Sequence, residues 1–191
     1  MKERFIRFIA VAAALLCVAS ESIAQSGLNY KELPNFHRVN EQLYRGAQPK
    51  RGGMQRLAQL GVKTVVNLRA RDERAQTEEQ EARAAGLRYF NAPFERLGRP
   101  TDEQVEHALS IINRPDNQPV FVHCRRGADR TGAVIAIYHI KHDGWTSERA
   151  KAEANNYGMR WWQRGKKDYI RDYYLRRSQR TAMVLAPSAV R

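Results

Sequence analysis

The residues best suited to chemistry lie in one short stretch, residues 123–132, which reads HCRRGADRTG. Cys124 is followed six positions later by Arg130. In a loop between a strand and a helix, backbone N–H groups and the helix dipole converge on one concavity that favours a phosphoryl dianion. The same surroundings lower the pKa of a thiol. We therefore expect Cys124 to attack phosphorus as a thiolate and Arg130 to clamp the phosphoryl oxygens.

The neighbours of Cys124 suit supporting roles in the same loop. Gly127 and Gly132 permit the tight backbone path that such a cradle requires. Thr131 is placed to donate a hydrogen bond to the sulfur, and His123 is expected to orient the loop from behind. The residues predicted to surround the phosphate are Arg125, Arg126, Gly127, Ala128, Asp129 and Arg130.

Strand and helix signals alternate along the chain and predict the scaffold that positions this loop. Segments rich in β-branched and aromatic residues predict strands at 43–45, 62–68, 87–92 and 119–123. The remaining periodic segments predict helices at 52–60, 72–85, 101–112, 131–142, 146–157 and 166–178. The alternation predicts a single α/β domain with a mainly parallel central sheet flanked by helices. The loop then lies between the last strand and a buried helix, where α/β sheets bind ligands.

The two ends of the chain are expected to lie outside that domain. The predicted divisions are a signal peptide at 1–24, an irregular lead-in at 25–40, the domain at 41–178 and a flexible tail at 179–191. Basic residues, an apolar run and small residues before a cleavage site near Ala24 are typical of secretory signals. The apolar run is too short to favour a retained membrane anchor. The bulky Leu16, just before Cys17, disfavours a lipoprotein acylated at Cys17. The sequence therefore predicts a periplasmic or secreted protein.

Cysteine count and charge narrow the function further. Removal of the signal leaves Cys124 as the single cysteine, so the mature chain has no internal disulfide. The whole chain of 191 residues carries a net charge of +13, and the signal accounts for one positive charge, which leaves +12. Such an excess attracts phosphorylated molecules or anionic lipid, unless it merely keeps the surface soluble. Export makes nucleic acid the weakest of the anionic partners, and none is expected.

The pattern His-Cys-x5-Arg-Thr-Gly, after a strand and before a helix, resembles the signature of the protein tyrosine and dual-specificity phosphatase superfamily. Upstream, residues 43–49 (LYRGAQP) and 61–69 (GVKTVVNLR) resemble the opening of compact bacterial and fungal-type dual-specificity phosphatases. The similarity covers residues 40–175. It implies a phosphoric monoester hydrolase with a phosphocysteine intermediate and no cofactor. The five histidines are scattered, so no metal site is predicted.

Asp129 and the general acid refine the resemblance. Cys-x4-Asp-Arg-Thr resembles loops of phosphoinositide phosphatases and of secreted bacterial phosphatases that act on both phosphotyrosine and phosphoinositides. The carboxyl of Asp129 either serves as an acid or positions water, or it braces the loop. The superfamily usually presents its acid, an aspartate, from a mobile loop upstream of the cysteine, but residues 92–100 contain none. Glu95 is the nearest carboxylate there, and Asp129 or Glu95 is favoured over Asp102, which opens a capped helix.

The expected substrates are phosphotyrosine protein or phosphoinositides and inositol phosphates, with an anionic membrane surface as a further partner. The stretch 159–167, MRWWQRGKK, mixes aromatic and basic residues in the way that membrane-surface contacts do. Two other functions remain open. One is a non-catalytic phosphate-binding module, and the other is a rhodanese-like sulfurtransferase, although the cysteine–arginine spacing suits phosphate better.

Overall fold

The β-branched segments of the sequence form one five-stranded sheet. The computed structural model describes residues 30–185. The strands are β1 His37–Asn40, β2 Leu43–Ala47, β3 Thr64–Asn67, β4 Arg88–Asn91 and β5 Val120–Cys124. Their order across the sheet is β1-β2-β5-β3-β4, and every pairing is parallel except that of β1 with β2. The prediction of a mainly parallel sheet is confirmed, and β5 lies at its centre with a partner strand on each side.

Helices cover both faces of the sheet, as expected for an α/β domain. They are α1 Gly53–Gln59, α2 Glu73–Ala84, α3 Asp102–Ile112, α4 Asp129–His142, α5 Ser147–Asn156 and α6 Arg164–Leu185, with a short 3-10 turn at Pro115–Asn117. The capping box of α3 is formed: the Thr101 hydroxyl accepts from the Gln104 amide N–H, and the Gln104 side chain accepts from the Thr101 N–H.

Alternate strand residues divide the core into two layers. Val65 and Phe121 pack with Met54 and Leu57 of α1, on one face of the sheet. Val66 and its alternating neighbours pack on the other face against α3 to α6. Ten of the fourteen residues of α4 are buried, which explains why its sequence is apolar on most sides. The helix that follows the loop is therefore packed against the rest of the domain on most of its sides.

Two predicted boundaries differ from the structure. The expected irregular lead-in over 25–40 contains strand β1, whose four residues are polar or only half-buried and lack the alternation that marks a strand. The expected flexible tail over 179–191 overlaps α6, which continues to Leu185 because residues 166–185 contain neither glycine nor proline. The predicted signal peptide lies outside the described residues. None of the helices within residues 30–185 is both long and apolar enough to cross a membrane.

Candidate active site

The loop between β5 and α4 forms a tight cradle around Cys124. Cys124 ends β5 and is 3% exposed. Gly127 has a φ of +69°, and a Cβ atom there would lie 2.4 Å from the carbonyl carbon and oxygen of Gly46. The loop therefore lies directly on the end of β2, and no residue other than glycine fits at position 127.

The environment of Cys124 favours the thiolate. Burial alone would raise the pKa of the thiol. The approach of the Thr131 hydroxyl, the backbone N–H groups of Thr131 and Arg126, and the positive charge of Arg130 together outweigh burial and lower the pKa. The Thr131 hydroxyl is itself buried and has no partner at ordinary hydrogen-bond length among residues 30–185. It is therefore free to turn its hydrogen towards the sulfur.

Arg130 is held in the same cavity by a backbone contact. Its Nη1 donates to the carbonyl oxygen of Leu68, just after β3, at 3.2 Å. Arg130 is largely buried, yet it lines a cavity of about 650 Å³ together with Cys124. A guanidinium oriented by one carbonyl keeps its other N–H groups for an anion beside the sulfur.

Arg45 supports the loop from beneath. It is fully buried, donates to Glu153 Oε1 at 2.6 Å and to the carbonyl oxygen of Gly127 at 3.2 Å, and lies 4.1 Å from the centre of the Tyr157 ring. This guanidinium therefore joins α5 to the back of the loop.

The outer side of the loop has two further supports. Asn35, with a φ of +53°, donates through Nδ2 to the carbonyl oxygen of Arg126 at 3.0 Å. Asp129 Oδ2 accepts from Arg126 Nη2 at 2.9 Å, and Asp129 Oδ1 accepts from the backbone N–H of Arg160 at 3.0 Å. Both oxygens of Asp129 are thus engaged in holding arginines at the rim.

His123 belongs to a buried polar cluster behind the loop. Its Nε2 lies 3.1 Å from Glu78 Oε1, a close electrostatic contact that is not aligned as a hydrogen bond. Gln48 donates to Glu78 Oε1 at 2.5 Å, and Asn67 donates to Glu78 Oε2 at 2.7 Å. Tyr89 donates to the same Oε2 at 3.2 Å. The ring of His123 therefore rests against a carboxylate that three other side chains hold in place.

Glu78 is ionised despite its burial. Burial raises the pKa of its carboxyl. His123 and the donors from Gln48 and Tyr89 lower the pKa by more than burial raises it, so the net pKa lies below the ordinary value. Tyr89 responds in the opposite sense, because burial and the charge of Glu78 raise the pKa of its phenol. The cluster therefore consists of a carboxylate and a neutral phenol at neutral pH.

The carboxylates considered as acids occupy different places. Asp129 lines the cavity. Glu95 is exposed and does not line it, although the two residues after it, Arg96 and Leu97, do. Asp102 is also absent from the lining, because it accepts hydrogen bonds from Tyr169 and Arg176 on α6.

The remaining predicted residues divide between the cavity and its surroundings. Arg125 and Arg126 line the cavity and are exposed, and Ala128 is buried as the residue preceding α4. Arg69, at the end of the segment 61–69, lies outside the lining and donates to Gln48 Oε1 at 2.5 Å. Within residues 30–185, no group of three or more His, Cys, Asp or Glu side chains is placed to hold a metal ion.

Sequence reasoning missed Lys166, which fastens the loop over 95–99. Lys166 is buried, and its Nζ donates to the carbonyl oxygens of Arg96 and Gly98 and to Gln163 Oε1, at 3.0–3.3 Å. Gln163 lines the cavity. Burial lowers the pKa of Lys166, although the nearby charges of Asp129 and Cys124 act to raise it. A lysine in a polar helical segment carries no sequence signal for such burial.

The titration of Cys124 tests the thiolate environment. We expect alkylation of the Cys124 peptide by iodoacetamide, followed by mass spectrometry, to have a midpoint below the ordinary pKa of a thiol. Thr131→Ala removes one group that lowers this pKa, so its midpoint shifts to higher pH. Thr77→Ala, on the exposed side of α2, leaves the midpoint unchanged. An unshifted midpoint in Thr131→Ala would contradict this role.

The pH dependence of stability tests the Glu78 cluster. The folded-state pKa of Glu78 lies below the unfolded value, so its stabilisation is present above the unfolded pKa and is lost as the pH falls through the folded pKa. Glu78→Gln should lower the free energy of unfolding in urea by about 3 kcal/mol at neutral pH. This difference from wild type should shrink below pH 4. Exposed Glu81→Gln on the same helix is the control; an equal loss at all pH values would refute the assignment.

Comparison with known proteins places this geometry in a family. Residues 28–172 match the family model described as "DSP-PTPase phosphatase fused to NAD+ Kinase". The dual specificity protein phosphatase TpbA of Pseudomonas aeruginosa strain PAO1 is 32% identical over 139 residues, which are 72% of this chain and 59% of TpbA. Inositol diphosphatase DSP4 of Arabidopsis thaliana is 27% identical over 105 residues, 53% of this chain and 52% of the relative. The chain thus spans little more than half the length of these curated relatives.

Solved structures show the same fold. The catalytic core of the PP-IP phosphatase SIW14 from S. cerevisiae, in complex with citrate, superposes with a TM-score of 0.69 at 21% identity, covering 82% of this chain and 95% of that one. P. aeruginosa TpbA superposes with a TM-score of 0.62 at 27% identity, covering 76% and 91%. The resemblance drawn from the loop is confirmed: the chain belongs to the dual-specificity phosphatase family of the protein tyrosine phosphatase superfamily.

Proposed function

We propose that this chain hydrolyses phosphate monoesters through a phosphocysteine intermediate. The observation that carries the proposal is the thiol of Cys124, which lines a cavity of about 650 Å³ beside Arg130 and has a lowered pKa. A buried thiolate next to an arginine that offers free N–H groups is suited to attack a bound phosphoryl dianion.

The proposed reaction has two steps. Cys124 Sγ attacks phosphorus, the bond between phosphorus and the ester oxygen breaks, and that oxygen takes a proton from a general acid. Water then attacks phosphorus, the sulfur–phosphorus bond breaks, and the thiolate and inorganic phosphate are released. The conjugate base of the acid takes a proton from the water. Arg130 and the loop N–H groups stabilise the charge on the equatorial oxygens, and Thr131 stabilises the departing thiolate.

Among the candidate acids, we assign the role of general acid to Glu95. Asp129 instead supports the loop. Asp129 lines the cavity, but both of its oxygens already accept hydrogen bonds that hold Arg126 and Arg160. Asp102 is engaged by Tyr169 and Arg176 away from the cavity. Glu95 is exposed, and the next two residues of its loop, Arg96 and Leu97, line the cavity.

Leaving-group dependence separates these roles. We expect Glu95→Gln to slow turnover of phenyl phosphate by about 100-fold, because a poor leaving group needs a proton, and to leave p-nitrophenyl phosphate nearly unaffected. Asp129→Asn should impair both substrates alike, since it disturbs the rim. Asp102→Asn is the matched control. Equal effects of Glu95→Gln on both substrates would remove Glu95 as the acid.

For the substrate, we propose polyanionic inositol phosphates or phosphoinositides ahead of phosphotyrosine protein. Four arginines, Arg96, Arg125, Arg126 and Arg160, line the cavity outside Arg130, and more than one phosphate per substrate would engage them. The relatives support both classes by name: a TpbA structure is described in complex with pTyr, and DSP4 is an inositol diphosphatase.

A substrate panel tests the proposed function. We expect kcat/KM to be higher for inositol polyphosphates than for a phosphotyrosine peptide, and Arg160→Ala to lower the former at least tenfold more than the latter. Cys124→Ser should abolish hydrolysis of both. If wild type and Cys124→Ser are equally inactive but bind vanadate, the chain is a non-catalytic phosphate-binding module. Thiocyanate production from thiosulfate and cyanide would instead indicate a sulfurtransferase.

We also propose that the protein is exported to the periplasm or secreted. The support is the order of basic, apolar and small residues over 1–24, with Ala24 before the expected cleavage site. An N-terminus at Met1 in the protein purified from cells would count against cleavage.

A further inference from the structure

Three large apolar side chains stand exposed around the mouth of the cavity. Trp161 is 72% exposed, Leu97 57% and Trp162 45%. Leu97 comes from the loop after β4 and the tryptophans from the segment before α6, yet Leu97 and Trp162 line the same cavity. The rings of Trp161 and Trp162 lie 5.5 Å apart at 90°. Clustered apolar exposure of this kind marks an interaction surface.

The same surface is strongly basic. We define the mouth surface as these three side chains together with four arginines that line the cavity, Arg96, Arg125, Arg126 and Arg160. Asp129 is the one carboxylate in that lining, and it is paired with Arg126. The guanidinium of Arg160 lies 4.8 Å from the centre of the Trp162 ring. The mouth surface therefore presents apolar side chains among a net excess of positive charge.

This combination suits a lipid surface better than a protein partner. Trp161 does not line the cavity and projects outward. It is therefore placed to insert into a lipid headgroup region rather than to form a pocket for a partner's side chain. Indole rings are stable at the headgroup level of a bilayer, and arginines there pair with lipid phosphates. The surface of a bilayer that contains anionic lipid carries a net negative charge throughout, whereas a protein surface mixes both signs of charge.

We propose that the mouth surface docks on an anionic lipid bilayer. Trp161, Trp162 and Leu97 enter the headgroup region, and the arginines contact lipid phosphates. The cavity then opens towards the headgroups, so the membrane presents substrate directly to Cys124. This use of the cavity rests on the proposed phosphatase function, whereas the docking itself does not.

Tryptophan quenching in the full chain tests the docking. Vesicles of phosphatidylcholine with phosphatidylglycerol, brominated near the headgroup, should quench Trp161 and Trp162 and shift their emission to the blue. Trp145, stacked on His139 at 3.9 Å and covered by Arg149 at 3.9 Å, serves as the internal reference. Trp161→Phe/Trp162→Phe retains Trp145 alone, and we expect it to lose the quenching and the shift. Pure phosphatidylcholine vesicles should quench much less.

A charge introduced at the surface supplies the second arm. Trp161→Glu should weaken sedimentation with the anionic vesicles by about tenfold, because it removes apolar contact and adds repulsion. Leu175→Glu is the control, since Leu175 is 48% exposed on α6 and does not line the cavity. Both variants carry the same apolar N-terminal run, so its contribution cancels. Equal weakening by the two variants, or absence of indole quenching, would overturn the proposal.

Hydrolysis of p-nitrophenyl phosphate in solution keeps the two hypotheses apart. Trp161→Glu should leave this activity unchanged while docking is weakened. Docking without hydrolysis by wild type would refute the phosphatase and keep the lipid surface. The opposite outcome is hydrolysis by a protein whose tryptophans are shielded by a phosphoprotein and not by the vesicles. It would refute docking on lipid and leave the phosphatase function standing.

Discussion

The structure depends on keeping a thiolate charged where water hardly reaches it. Cys124 is nearly inaccessible at the end of the central strand, and burial by itself would protonate the sulfur. Charge is retained because donors converge on it: loop N–H groups, the Thr131 hydroxyl and Arg130. Each of these donors helps only from the correct position. Much of the surrounding architecture can therefore be understood as the means of holding one loop in one shape.

Several independent contacts provide that rigidity. Gly127 packs directly on the backbone of β2, and Arg45 joins the carbonyl of Gly127 to Glu153 of α5. Behind the loop, the ionised carboxylate of Glu78 supports His123. The side chains of Arg45 and Glu78 are buried, and their hydrogen bonds specify the loop geometry more strongly than apolar packing would. The outward-facing rim is less constrained, and its arginines Arg125 and Arg126 are exposed to solvent.

The sequence predicted the parts of the site that are contiguous. Cys124, Arg130 and Thr131 fall in one segment. The strand and helix signals around them placed that segment at the carboxyl end of a strand in the sheet. The supports could not be found in this way, because they join distant residues. Asn35 reaches Arg126 across 91 positions, and Arg45 reaches Gly127 across 82. Lys166 lies in a segment whose composition suggests a solvated helix. Strand β1 was missed for a related reason, since an exposed edge strand needs no apolar alternation.

The position of β5 links Cys124, which ends this strand, to the slowest motions of the protein. β5 is hydrogen-bonded to β2 on one side and to β3 on the other, so its amides are released only when the whole sheet opens. Amide exchange at Val122 and His123 should accordingly occur through global unfolding rather than local fraying. Because the strand does not open locally, reagents cannot reach the thiol at its end by that route. The thiol is accessible to solvent only through the mouth of its own cavity.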